Sequence, residues 1–260
     1  MTTTVQIVEI DYSDLANEED LTKSISEAFG VHGIGVLTVK NVPGFTAARQ
    51  KLLPLSKTFA DLQDDLKAKY VHKESFYSFG WSHGKEKLQG KPDLSKGSYY
   101  ANPQYDRPID DEEVIAKYPA FIHPNLWPTE DVPEFEHAFK EVGQIIVQVG
   151  ELLAKQCDKF VHGTCKSYAP NLLHRVISES KCCKARLLHY FPLVHEEEDA
   201  SAPESSDLFS SWCGWHNDHG SLTGLTSALY LDEEGKEVAN TDTDAGMKIA
   251  SILQSDSIHT

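Results

Sequence analysis

His216 and Asp218 stand two residues apart in the segment Trp212-Cys-Gly-Trp-His-Asn-Asp-His-Gly-Ser-Leu-Thr223. A strand-like run follows them, and in an extended backbone side chains two apart project from the same face. One imidazole and one carboxylate are then offered side by side to a single cation. With a second histidine, such a pair makes the facial set that holds iron(II) and leaves its other positions open. The plain alternative is a hydrogen-bonded His–Asp pair at a strand end. His219 follows Asp218 directly, so it falls on the opposite face and reads as a packing or solvent-facing side chain. His259 is one residue from the end of the sequence, and a chain terminus is poor support for a rigid ligand. Neither is expected to ligate.

The elements that would position this pair are legible in the pattern of apolar residues. After a short alternation (Val5, Ile7, Ile10), Asn17 is placed to cap a helix whose Leu21, Ile25, Ala28 and Phe29 share one face, closed by Gly30 or Gly33. Residues 34–39 are rich in β-branched side chains (Ile34, Val36, Thr38, Val39), precede Pro43, and predict a strand. A second helix follows Pro43 with Leu52, Leu55, Phe59 and Leu62 inward, and Pro54 is expected to kink or break it. From Phe76 to Tyr105 no period persists. That stretch predicts a long loop whose Phe76, Tyr77, Phe79, Trp81, Tyr99 and Tyr100 contact substrate. The longest helix is expected to be capped near Thr129, with Pro133 in its first turn. Phe135, Phe139, Val142, Ile146, Val149, Leu153 and Phe160 keep its period through about 30 residues, or about 45 Å. Residues 185–191 predict a strand ending at Pro192, and residues 195–207 an acidic solvated loop. Strands are also expected at 211–216 and 222–231, with a turn at Glu234-Gly235.

Composition narrows the function. Lys and Arg number 24 against 40 Asp and Glu, a formal net charge of −16. That balance argues against nucleic acid and anionic membranes as partners, because both need a basic footprint. An anionic cosubstrate must therefore find a local basic group. No apolar run approaches the roughly 20 residues that span a bilayer. The first residues lack the basic flank and apolar core of a signal peptide, so a cytoplasmic location is expected. The five cysteines (Cys157, Cys165, Cys182, Cys183, Cys213) are odd in number and include no C-x-x-C pair. A disulfide framework or structural zinc site is not expected. At 260 residues, without an internal repeat, the chain is long enough for one large β-rich domain with a sizeable core.

Four segments, taken in chain order, resemble the 2-oxoglutarate/Fe(II)-dependent oxygenases of the isopenicillin N synthase-like branch. The first is Ala28-Phe-Gly-Val-His-Gly-Ile-Gly-Val-Leu-Thr-Val-Lys-Asn-Val-Pro43, similar to that branch's helix–glycine–strand signature. The second is the long helix. The third, Arg186-Leu-Leu-His-Tyr-Phe-Pro192, takes the place of an Asn-Tyr-Tyr-Pro element. The fourth, His216-Asn-Asp-His-Gly-Ser-Leu-Thr223, resembles the His-x-Asp ligand segment. The resemblance implies an α+β fold: an N-terminal helical region and one long helix packed on a double-stranded β-helix (jelly-roll) core. Residues 1–125 would be the N-terminal non-haem dioxygenase-like region, and residues 126–260 the long helix and the first part of the jelly roll.

The same resemblance implies Fe(II) held by His216 and Asp218, 2-oxoglutarate as cosubstrate, ascorbate as a supporting reductant, and a small organic substrate. It places the oxo-acid beside His189 and Phe191, where the family has Asn and Tyr; His189 can still hydrogen-bond, whereas Phe191 has no hydroxyl. The family's distal histidine and its Arg-x-Ser segment have no counterpart in a recognisable context. Some five further strands would need about 50 residues, and forty-two follow Asp218. The jelly roll is therefore expected to be incomplete at the C-terminus. Two other readings stand beside the oxygenase: a non-catalytic, truncated or degenerate relative that acts by binding, and a cupin-like metal isomerase or hydrolase. The last would share His-x-Asp ligands but not the N-terminal signature.

Overall fold

A computed structural model describes residues 6–88, 91–192 and 218–240. Its elements run in the order β1 (Val8–Asp11), α1 (Tyr12–Ala16), α2 (Thr22–Phe29), β2 (Leu37–Lys40), α3 (Phe45–Ala60), α4 (Asp64–Ala68), β3 (Gly80–His83), β4 (Lys87–Leu88), β5 (Lys91–Pro92), β6 (Lys96–Ala101), α5 (Glu112–Lys117), α6 (Pro119–Ile122), α7 (Phe135–Thr164), α8 (Leu172–Ser178) and β7 (Ala185–Tyr190). They fall into two compact units. One holds the chain up to residue 43, residues 149–178 and the chain from 224; the other holds residues 44–148 and 179–223.

In the first unit β1 and β2 pair in parallel, Val8 opposite Leu37 through Asp11 opposite Lys40. Ile10, Leu15 and Ile25 form its core with Leu153 and Cys157 from the second half of α7. Asn17 does not cap the helix at 22–29. It ends α1, whose own N-cap is Asp11, and the Asp20 carboxylate accepts from the Thr22 amide at 3.1 Å to start α2. Gly30 closes α2 as expected. Asp158, 3% exposed, reaches from α7 to α8. Its carboxylate accepts from the Leu173 and His174 amides at 2.9 and 2.8 Å and from the Tyr168 hydroxyl at 2.6 Å. It thereby satisfies donors that a helix start leaves without partners. Residues 222–230 do not form the expected strand; a lone bridge joins Leu231 to Glu237 around a turn in which Gly235 takes φ +81°.

The second unit is built on an antiparallel sheet in the order β3-β6-β7. Trp81, Tyr99 and Leu187 stand in one row across it, and His83, Gly97 and His189 in another. The first row is buried against Phe59 of α3 and Phe135 of α7. Phe59 lies at the centre, with ring centroids 5.2 Å from Trp81, 4.9 Å from Tyr99 and 5.7 Å from Phe135. These tilted and edge-on geometries are the ones aromatic quadrupoles prefer. The Tyr99 hydroxyl donates to the Leu126 carbonyl. Pro54 neither breaks nor ends α3, because Leu52 and Phe59 anchor it in the core on either side.

The largest correction concerns residues 76–105. They are not one long loop: β3, β4, β5 and β6 lie within them, and β6 is the centre of the sheet. Phe79, Trp81 and Tyr99 are core residues exposed by 0, 5 and 1%. They belong to the packed core and its sheet, not to a long surface loop. Helix α7 has the expected length of 30 residues, starting at Phe135 rather than at a cap near Thr129. Residues 129–134 turn ahead of it, with the Val132 amide donating to the Pro128 carbonyl.

Candidate functional site

Strand β7 carries chemistry on both faces. On the core side, His189 and Phe191 come together as their spacing implies, with ring centroids 4.8 Å apart and edge-on. His83 of β3 stacks on Phe191 from the other side at 4.8 Å. His189 is half-buried and, with Ser56, Phe59, Trp81 and Leu187, lines a narrow cleft at the edge of the aromatic core. Burial holds its imidazole below the usual histidine range. His189 is therefore a neutral hydrogen-bonding group at neutral pH.

Asp218 is exposed, outside any strand, and its Oδ2 accepts from the Thr223 hydroxyl at 2.7 Å. An aspartate carboxylate is among the donors that iron(II) takes in facial sites, so its type fits the ion. His216 lies outside the described residues, as do residues 195–207 and 211–216. His219 is exposed. Among the described residues no three His, Cys, Asp or Glu side chains cluster as a metal site would need.

The opposite face of β7 holds a polar cluster that sequence reading missed. Arg186 donates through Nε and Nη2 to the Ser98 hydroxyl of β6, at 3.0 and 2.8 Å. Its Nη2 also donates to Glu86 Oε1 at 2.7 Å, and the Tyr100 hydroxyl donates to that same oxygen at 3.0 Å. Lys96, 8% exposed, sits 3.2 Å from Glu86 Oε2 and 3.1 Å from Asp93 Oδ2. Burial would raise the Glu86 carboxyl, but Arg186 and Lys96 outweigh it and hold the group below the usual carboxylate range. The one available signal was strand alternation, which sets Arg186 on the face opposite Leu187 and His189.

A third cluster joins three segments. The Lys184 ammonium donates to the carbonyls of Ser78 and Ala120 at 2.6 and 2.8 Å and lies 3.6 Å from the centroid of the Phe79 ring. Burial pulls its pKa down to about 8. Next to it His123 packs on Phe79 and stacks on His72 with centroids 3.7 Å apart. Burial, then the neighbouring His72, lowers the His123 pKa. The chain here turns through Phe76 and Tyr77 at φ +54° and +60°. Bulky side chains rarely adopt that conformation.

Residues 7–130 match a family model described as non-haem dioxygenase in morphine synthesis N-terminal. No curated protein matches the chain. Among solved structures, a protein assigned to the 2OG-Fe(II) oxygenase family from Caulobacter crescentus matches with a TM-score of 0.55 and 18% identity. The match covers 73% of this chain and 58% of that one, so the chain spans a little over half the length of that relative. At this identity the likeness is one of fold, in which helices and sheet combine as they do here. The family match spans a little under half of the chain, its N-terminal part, and the solved structure adds a likeness of fold.

Proposed function

We propose that the chain is a non-haem Fe(II)/2-oxoglutarate-dependent dioxygenase of the isopenicillin N synthase-like branch, acting in the cytoplasm on a small organic molecule. One observation carries the reading. The dioxygenase match over residues 7–130 is followed, in family order, by the β7 segment Arg186-Leu-Leu-His-Tyr-Phe-Pro192 and by His216-Asn-Asp218. In this reading residues 1–125 are the N-terminal region, and residues 126–260 carry the long helix and strands of a double-stranded β-helix core.

His216 and Asp218 would hold iron(II), with ascorbate keeping it reduced. When bound, iron(II) and 2-oxoglutarate supply an oxidation that no side chain can perform, with succinate and CO2 as the products of the cosubstrate. The chain's own part is positional. The Asp218 carboxylate offsets part of the ion's charge. His189, kept neutral by burial, offers a hydrogen bond beside the apolar ring of Phe191. The aromatic wall of Phe59, Trp81 and Tyr99 keeps water from that side of the strand.

The test is titration calorimetry with Mn(II) or Fe(II) under anaerobic conditions. His216→Ala and Asp218→Ala should each remove most of the affinity, while His219→Ala and His259→Ala leave it unchanged. An equal loss from His219→Ala overturns the ligand assignment. Iron binding with no succinate formed from 2-oxoglutarate across a substrate screen overturns the oxygenase reading.

A further inference from the structure

The polar face of β7 bears on what else the protein binds. Arg186, Lys96, Tyr100 and Ser98 converge on the carboxylate of Glu86, although the chain as a whole carries a net charge of −16. Lys96 has a second partner in Asp93, whose side chain is 4% exposed and whose Oδ1 is fixed by the Ser95 amide and hydroxyl at 3.0 and 2.6 Å. If the Glu86 side chain swings out, Lys96 therefore stays neutralised and Arg186 does not. The Glu86 main chain is tied down, its carbonyl accepting from the Asp93 amide at 2.8 Å. Departure thus requires rotation of the side chain alone. That side chain is already 43% exposed, and Arg186 is 31% exposed.

The tethered carboxylate also underuses its partner. Among the described residues Glu86 meets the guanidinium through one N–H···O bond, where an untethered carboxylate can take two in parallel. Alongside lies a narrow cleft, with room for little more than one water, lined by Ser82, Gly84, Lys85, Glu86, Asp93, Lys96 and Ser98. An incoming carboxylate therefore takes the place that the Glu86 carboxylate vacates, and the rest of a small molecule lies towards solvent.

We propose that this cradle is a binding site for the carboxylate of a small organic acid, and that Glu86 occupies it as a displaceable internal stand-in. Arg186 grips the incoming carboxylate, Ser98 holds the guanidinium plane, and Tyr100 donates the further hydrogen bond. The site lies on the face of β7 opposite His189 and Phe191, and its occupation requires no metal. Its failure and that of the iron assignment are therefore separately visible.

The experiment is calorimetric titration of the metal-free protein with succinate and with 2-oxoglutarate. Glu86→Gln removes the internal competitor and should tighten binding about tenfold, equivalent to ~1.4 kcal/mol. Arg186→Gln should abolish binding, and Arg186→Lys, which keeps the charge but not the fork, should weaken it strongly. Both side chains are partly solvent-exposed, and unchanged near-ultraviolet circular dichroism verifies the fold. Succinamide should not bind, and inorganic phosphate should bind more weakly than succinate. Glu86→Gln binding no tighter than the parent overturns the proposal, as does Arg186→Gln retaining parental affinity. Phosphate binding as tight as succinate overturns the carboxylate assignment.

Discussion

Lys184 is a buried cation with two carbonyls and an aromatic face for company, and its titration should appear in the stability of the whole protein. Its pKa falls from 10.5 to about 8 because burial disfavours the ammonium. The folded state therefore binds this proton less tightly than the unfolded state does. Stability rises with pH wherever the unfolded chain holds more protons, so the penalty is fully present below pH 8 and is relieved between about 8 and 10.5. At ~1.36 kcal/mol per pKa unit the full penalty is about 3.4 kcal/mol, of which about 2.5 is recovered by pH 10. Lys184 keeps some solvent contact, and allowing for that screening leaves about 1–1.5 kcal/mol. Urea unfolding of the parent and of Lys184→Met between pH 7 and pH 10 isolates the effect. The variant also strands the carbonyls of Ser78 and Ala120, which lowers its stability at every pH, so the slope is the diagnostic quantity. The parent should gain about 1 kcal/mol or more over the variant across this range. Parallel curves would refute the reasoning and show that the carbonyls and the Phe79 ring compensate the charge fully.

Asp158→Ala should cost about 3 kcal/mol in urea unfolding, because it strands two amides at the start of α8 and the Tyr168 hydroxyl. Asp158→Asn, which keeps one carboxamide oxygen as acceptor, should cost about half as much, and equal losses would point to packing instead of hydrogen bonds. Gly97→Ala would set a Cβ 2.0 Å from Cη2 of Trp81, a ring enclosed by the aromatic core. A loss of about 1–3 kcal/mol in a denaturant titration is expected, and in a double-mutant cycle Trp81→Phe should recover part of it.

Local pattern was enough for the elements whose face repeats along the chain. Ile25, Ala28 and the Gly30 stop define α2; Phe135, Phe139, Val142 and Leu153 define α7; and residues 185–190 become β7 where a strand was expected. In each, one side is apolar and the period lies within a dozen residues, so no knowledge of the partner is needed. The relation of His189 to Phe191 was readable for the same reason, since a spacing of two sets both on one face of an extended chain.

Only tertiary structure decided the role of residues 80–101. Lys96-Gly-Ser-Tyr-Tyr-Ala101 carries no clean alternation because both its faces are covered, one by aromatic rings and the other by an ion network. Ser98 and Lys96 are as buried there as many apolar residues, at 2 and 8%. A polar residue buried by a partner elsewhere in the chain looks, in sequence, like one left in water. The partners are remote: Arg186 meets Glu86 across 100 residues, and Lys184 meets Ser78 across 106. Type and spacing named His216 and Asp218 as candidate metal ligands and His189 and Phe191 as neighbours on one face. Which charges face one another across the sheet was settled by strand pairing, a contact between distant segments that no local period encodes.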